Sequence, residues 1–441
     1  MKTFNSAQCK KLVAIATGLS VASGSLRAVE PSDILVFSKE PVLLRPRLAV
    51  AETYIDNVFS RQVGKADLIT TVSPGLNFRL GKEAGNFIAL DYGFSQRFYA
   101  AQDDLNAGDH AFSIRNKVQG QRLGMLGTDR MDLVSNPIGV VQQTGFSSPI
   151  NITPPVSEGG TPSVSPVPNP DLGSPVRGGE VLSTYEERNV DSTSHYHSYN
   201  LAYSMTEKTG VYLQGQYSLT DYEQGVELYD LTTWRGTGGF AFQAFPKTSF
   251  FGETYYGQTT TTPNFIAPSI PHLSFIGGSL GARGSFTEKI TGVVRVGYES
   301  REFADISAAP SSPVSSVSLG YRVLPKTALS VTYDRLHDVS VQYAKQSYTV
   351  NVLSGQVSQA IGSSGKWRAA VGGRYGIYAY ETTEGAASPG YDSYSVYFNL
   401  EHQLQVWLTA RLGYGLDAIR YGNSGSGYDV NRLTLGLAIG Y

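Results

Sequence analysis

Apolar and polar residues alternate along this chain with a period of two, most cleanly in the final segment. There Leu433, Leu435, Leu437, Ile439 and Tyr441 share one face, and Arg432, Thr434, Gly436, Ala438 and Gly440 share the other. From Leu404 to Ala418 the apolar face carries Leu404, Val406, Leu408, Ala410, Leu412, Tyr414 and Leu416, against Gln405, Thr409, Arg411, Gly413 and Asp417. Likewise Val317, Leu319, Tyr321 and Val323 oppose Ser316, Ser318 and Arg322, and Val211, Leu213, Tyr217 and Leu219 oppose Gln214, Gln216 and Ser218. A tilted strand crosses lipid in about 9–11 residues, whereas strands of globular proteins usually run about 5–6. The repeated length therefore predicts membrane-spanning strands. A soluble sandwich is the weaker reading, because it needs two facing apolar cores and no aromatic residues at strand ends.

The connections between these segments alternate in length. Short reversals recur as Thr206-Glu207-Lys208-Thr209, Phe245-Pro246-Lys247-Thr248, Phe286-Thr287-Glu288-Lys289 and Leu324-Pro325-Lys326-Thr327, with the Pro and charged residues that tight turns favour. Their spacing marks a repeated hairpin unit. Longer polar stretches separate them: Gln258 to Pro271, Ala304 to Pro313 and Thr382 to Asp392. Short turns on one side and long loops on the other are what an outer-membrane barrel requires. Counting from a first strand near Leu43 to Ile55, the prediction is an all-β, antiparallel, up-and-down transmembrane barrel. It has about eighteen strands, or about sixteen if the stretch between Gln121 and Asp191 adds none. Within that stretch 136–179 is rich in Pro, Ser, Gly and Val, a composition that cannot build a core and reads as a long loop; a tethered plug inside the lumen is the sharper alternative.

Composition sharpens this picture. Of 441 residues only 16% are charged, while 28 are Tyr and 48 Gly, and mean hydropathy is −0.17. That suits walls with one apolar and one polar face. A net charge of −2 leaves no basic field to attract nucleic acid, which is excluded as a partner. Lys2, Lys10 and Lys11 precede an apolar run from Leu12 to Ala22 and then small residues, as in a secretory signal with a cut after Ala28 or Ser25. The expected division is a signal peptide over 1–28 and a barrel over 29–441. The single cysteine, Cys9, would leave with the signal, removing disulfides, thiol catalysis and thiolate metal sites from the mature chain. No stretch reaches 18 consecutive apolar residues, so a membrane can be crossed only by a closed barrel, in which every backbone group is paired.

Two features resemble known sequence patterns. An aromatic residue closing an alternating strand, here Leu437, Ile439 and Tyr441, resembles the C-terminal signal read by the barrel-assembly machinery. Glu52-Thr53-Tyr54-Ile55-Asp56-Asn57-Val58-Phe59, followed by Ala66-Asp67-Leu68-Ile69-Thr70-Thr71-Val72-Ser73-Pro74-Gly75-Leu76, resembles the opening of the outer-membrane β-barrel porin 2 family. The repeated strand and Lys-Thr turn, with Tyr212 to Tyr222, is similar to the rest of that family, and 136–179 departs from it as an insertion. The resemblance implies a porin-like barrel and leaves the solute undefined.

With the apolar face toward lipid, the polar face lines the lumen. The expected lumen-facing residues are Arg79, Arg97, Arg283, Arg295, Arg301, Arg322, Arg368, Arg374, Arg411 and Arg432, with Asp91, Glu299, Asp334 and Asp417 as acidic counterparts. Arginines around a water-filled channel bias it toward anions; the plainer reading is that they pair with wall carboxylates and fill space. Tyr54, Phe59, Phe98, Tyr99, Tyr298, Tyr333, Tyr397, Trp407 and Tyr414 are expected as an aromatic girdle. His195 and His197 read as a solvated rim pair rather than metal ligands, and His337-Asp338 lacks a marked serine, so neither catalysis nor a metal or other cofactor is expected. The sequence thus predicts an outer-membrane pore for passive diffusion of small hydrophilic solutes, with mild anion preference. Its partners would be the bilayer, the assembly machinery and the solutes. The alternative is a plugged structural or export-associated barrel. Nothing in the sequence marks an oligomer face, although an oligomer is compatible with it.

Overall fold

Segments that alternate apolar and polar residues bury one face of a pleated strand and wet the other, and here they pair edge to edge until no edge is left. The computed structural model describes residues 37–82, 85–137, 188–224, 226–263, 272–304, 311–341, 346–381, 390–422 and 427–440. The expected signal peptide, residue Tyr441 and 138–179 of the expected long loop lie outside these. A short strand β1 (Phe37–Lys39) leads into β2 (Val42–Ile55), β3 (Asp67–Gly81), β4 (Phe87–Tyr99), β5 (Ala107–Gln119), β6 (Leu123–Pro137), β7 (Asn189–Ser204), β8 (Thr209–Tyr222) and β9 (Tyr229–Phe245). The wall continues with β10 (Thr248–Pro263), β11 (Leu273–Ser285), β12 (Ile290–Phe303), β13 (Ser311–Leu324), β14 (Thr327–Val339), β15 (Ser347–Ile361), β16 (Trp367–Glu381), β17 (Tyr391–Gln405), β18 (Leu408–Tyr421) and β19 (Gly427–Ile439).

Every neighbouring pair is antiparallel, and β19 returns to β2 from Arg432 opposite Ile55 to Ile439 opposite Leu48, closing the sheet. With β1 only extending the start of β2, the barrel has eighteen staves. The stretch on which the count turned supplies β6 and β7, paired from Leu123 opposite Tyr203 to Pro137 opposite Asn189. Asn136 and Pro137 therefore end a strand rather than begin the loop. No helix among the described residues is long and apolar enough to cross a membrane.

The short reversals fall at the predicted turns. The expected outer loops are shorter than their composition suggested, because β10 runs on to Pro263 and β13 and β17 begin at Ser311 and Tyr391. The run from Leu404 to Ala418 is two strands: the chain reverses at Val406 and Trp407 between β17 and β18. Alternation alone does not register a two-residue turn whose own residues are apolar. Pro74 in β3 has no N–H to donate, and the β3–β4 ladder is interrupted there between Val72 and Gly75. The Ser73 and Ser95 hydroxyls bridge the gap at 2.8 Å.

Leu213, Leu280, Val296, Leu353, Val396 and Leu435 are exposed, whereas Ser198, Asn200, Glu253, Ser279, Glu299 and Asp417 are buried. This is the inverse of a soluble protein and places the apolar face outside. Tyr54, Phe98, Tyr298 and Tyr414 stand on that outer face. Phe59 and Tyr99 do not: they are buried within the lumen, and Tyr397 faces inward, its hydroxyl on Gln356 at 2.6 Å.

Apolar cores inside the barrel sit mainly at the end bearing the long loops. One joins Ile55, Val58 and Phe59 with Leu105, Tyr348, Val350, Tyr378, Tyr391, Ile419 and Tyr428. A second joins Val190, Val226, Leu228, Leu273, Phe303, Val339 and Val341. Residues of the connections after β2, β4, β8 and β14 are thus drawn inward, and the Tyr229 amide donates to the Val341 carbonyl at 2.9 Å across the mouth.

Candidate functional site

Below this apolar collar the inner wall is polar, and its densest cluster lies on β8–β12. Glu253 of β10 accepts from the Tyr212 hydroxyl at 2.7 Å and from the Ser279 hydroxyl at 2.9 Å, with Arg295 Nε 3.4 Å away. Glu299 of β12 accepts from the Tyr255 hydroxyl at 2.9 Å and from Arg301 Nε at 2.5 Å, and Arg301 also donates to the His337 carbonyl at 2.6 Å. Arg283 donates to Ser249 at 3.3 Å. The Arg235 guanidinium lies 3.7 Å above the Tyr255 ring, and those of Arg283 and Arg295 lie 5.6 and 5.7 Å from the Phe251 ring.

Glycines set the shape of this wall. A Cβ on Gly277 would sit 2.4 Å from the Tyr255 ring, and one on Gly239 would sit 2.2 Å from that of Tyr212. Both rings therefore lie flat over the neighbouring strand instead of projecting into the lumen. Of the arginines, Arg235 stacks on the Tyr255 ring. On β9–β12, four guanidinium groups (Arg235, Arg283, Arg295 and Arg301) stand against two carboxylates.

Of the residues expected in the lumen, Arg283, Arg295, Arg301 and Glu299 are brought together here. Arg432 bonds Asp417, which also accepts from Ser395 at 2.6 Å. Arg411 pairs with Glu401 at 3.1 Å, opposite Arg368 in register. Arg374 reaches the Tyr378 hydroxyl at 3.4 Å, and Asp334 stands opposite Ser316. Arg97 pairs with Asp109 at 2.9 Å, and Asp91 with Arg47 at 2.6 Å; Arg79 stands on the inner face of β3, opposite Ala89. Arg322 is exposed beside the turn into β14, apart from the rest.

Sequence reasoning missed Arg235, Glu253, Tyr212 and Tyr255. Phe250, Phe251, Tyr255 and Tyr256 put aromatic rings on both faces of β10, so no contrast marks Glu253 as inward. Arg235 could have been found, since Thr233 and Thr237 share its face opposite Trp234. His195 and His197, expected at a rim, lie mid-strand on the outer wall. His337 Nδ1 is engaged by the Thr349 hydroxyl at 2.9 Å. Among the described residues no group of three or more His, Cys, Asp or Glu could hold a metal ion.

No protein-family model matches the chain, so the porin 2 family name gains no support there, and no curated protein matches it. Among solved structures, the Pseudomonas aeruginosa outer membrane protein OpdK aligns at 9% identity over 90% of this chain and 99% of its own, with a TM-score of 0.43. Pseudomonas aeruginosa OpdL aligns at 12% identity over 91% and 99%, with a TM-score of 0.44. Acinetobacter baumannii OccAB3 aligns at 12% identity over 90% and 99%, with a TM-score of 0.42. The fold itself rests on the closed ladder: an antiparallel barrel, apolar outside and polar inside, is an outer-membrane barrel.

Proposed function

We propose that the chain forms a water-filled pore for passive diffusion of small hydrophilic solutes, with a mild preference for anions. The observation that carries this is the β9–β12 wall, where guanidinium groups outnumber carboxylates inside a barrel too wide for side chains alone to fill. An enzymatic reading has less behind it, since the Nδ1 of His337, the histidine it would use, is engaged by Thr349 of the neighbouring strand. The outward Leu437 and Ile439 of β19 are the residues the assembly machinery would read in the unfolded chain.

The purified protein in a planar bilayer tests this. Stepwise conductance with a reversal potential of anionic sign is expected; cation selectivity overturns the preference. A second reading, a plugged barrel, is favoured by the apolar collar. It predicts silence until the collar is loosened by Phe59→Ala or Leu228→Ala.

A further inference from the structure

The outer wall of β5–β9 departs from the rest of the lipid-facing surface. Asp129 of β6 and His197 of β7 stand opposite one another in the ladder, and their side chains meet outside the barrel with His197 Nδ1 2.7 Å from Asp129 Oδ1. The Tyr199 hydroxyl donates to the second carboxylate oxygen at 2.6 Å. His195 stacks on His197, and Tyr217 of β8 leans against it.

This cluster is mid-strand in both β6 and β7. The outward row on one side of it is Met125, Leu201 and Leu213, all apolar; on the other, Met131 and Leu219 flank His195, and only beyond them, toward the strand ends, do Thr193 and Asp221 join Leu133. On β10–β19, by contrast, outward charged and histidine residues such as Arg335, Asp392, His402, Arg420 and Asp429 stay within four residues of a strand end. Beside the cluster the wall loses its side chains. Gly215 and Gly236 face one another across β8 and β9, and a Cβ on either would meet nothing within 4 Å. Tyr199, Tyr217, Trp234 and Tyr256 frame the recess, with Trp234 edge-on to Tyr256 at 5.4 Å.

Acyl chains offer nothing to a carboxylate and its histidine, and a lipid-facing strand is best covered by bulky apolar residues. The geometry points to this face as a contact surface for a second copy of the chain. The copy's wall covers Asp129, His197 and Tyr199, and one of its aromatic rings fills the Gly215–Gly236 recess. Five strands about 4.8 Å apart over an apolar band about 25 Å tall present on the order of 600 Å² of flat wall. Once side-chain relief is added, that approaches the ~800 Å² per partner of a specific interface. The inference rests on the outer wall facing lipid and not on whether the lumen conducts, so its failure leaves the pore reading intact.

Native mass spectrometry of protein extracted from outer membranes in mild detergent tests it. The wild type is expected at a multiple of the single-chain mass. Gly236→Trp fills the recess at a position where a Cβ meets nothing within 4 Å, and Asp129→Leu combined with His197→Leu removes the charged couple from the wall. Each is expected at the single-chain mass while still showing the gel shift on heating of a folded barrel. A wild type that is a single chain, including one that retains phospholipid and so assigns the cluster to a headgroup, overturns the inference. So does an assembly that survives both changes.

Discussion

Replacing Arg235 and Arg283 with glutamine removes the excess of positive charge on β9–β12 while Arg295 and Arg301 remain beside Glu253 and Glu299. In the wild type the four guanidinium groups and two carboxylates leave two net positive charges facing the lumen. For an ion passing about 7 Å away in water-like dielectric, two charges are worth about 1.2 kcal/mol. Screening at 0.1 M salt, where the Debye length is about 10 Å, reduces this to about 0.6 kcal/mol. An anion is then favoured about threefold and a cation disfavoured to the same extent, an anion-to-cation permeability ratio of about 8 at RT of about 0.59 kcal/mol. At 1 M salt, with a Debye length of about 3 Å, the same charges give a ratio of about 1.5. Reversal potentials across a salt gradient in a planar bilayer measure the ratio directly. The double variant Arg235→Gln, Arg283→Gln is expected near unity at both concentrations. A wild-type ratio that does not fall between 0.1 and 1 M, or a double variant that keeps its preference, would refute the placement of this charge on the conduction path.

Three further outcomes follow from the same geometry. Tyr212→Phe deletes a hydrogen bond to a buried carboxylate and should cost about 1.5–3 kcal/mol, read as a lower urea midpoint for unfolding in detergent or lipid vesicles. Leu433→Arg puts a charge on the exposed outer face of β19 and should cost about 2–4 kcal/mol if that position lies near the bilayer midplane, while Thr434→Arg on the inner face should cost far less; equal losses in vesicle refolding would mean the two faces are wrongly assigned. Leu228→Ala empties a fully buried place in the collar at about 2–5 kcal/mol. That should appear as faster external proteolysis within 223–228 and larger or more frequent channel openings, and unchanged protease resistance would show that the collar does not hold this loop.

Much of the wall was legible because a period of two in side-chain direction is a property of the strand itself. Leu433, Leu435 and Leu437 must share a face whichever strand lies beside them, and Arg432 and Thr434 must share the opposite one. Strand number followed from length and turn chemistry, and the β6–β7 ladder decided for eighteen over sixteen, since composition between 121 and 191 hides where strand gives way to loop. The candidate cluster was half legible. Arg283, Arg295, Arg301 and Glu299 stand out as charges on otherwise alternating strands, whereas Glu253 is masked by inward aromatic neighbours that glycines on adjacent strands make room for.

Direction was therefore readable from the residues alone: which side chains share a face, and that the chain would cross lipid as strands. Adjacency emerged with the closed barrel. It put Tyr212 on Glu253, paired Asp129 with His197 on the outer wall, and folded Phe59, Leu105 and Leu228 back into the lumen. The physical reason is that direction depends on the local pleat, while adjacency depends on register and closure among strands up to several hundred residues apart, as where β19 meets β2.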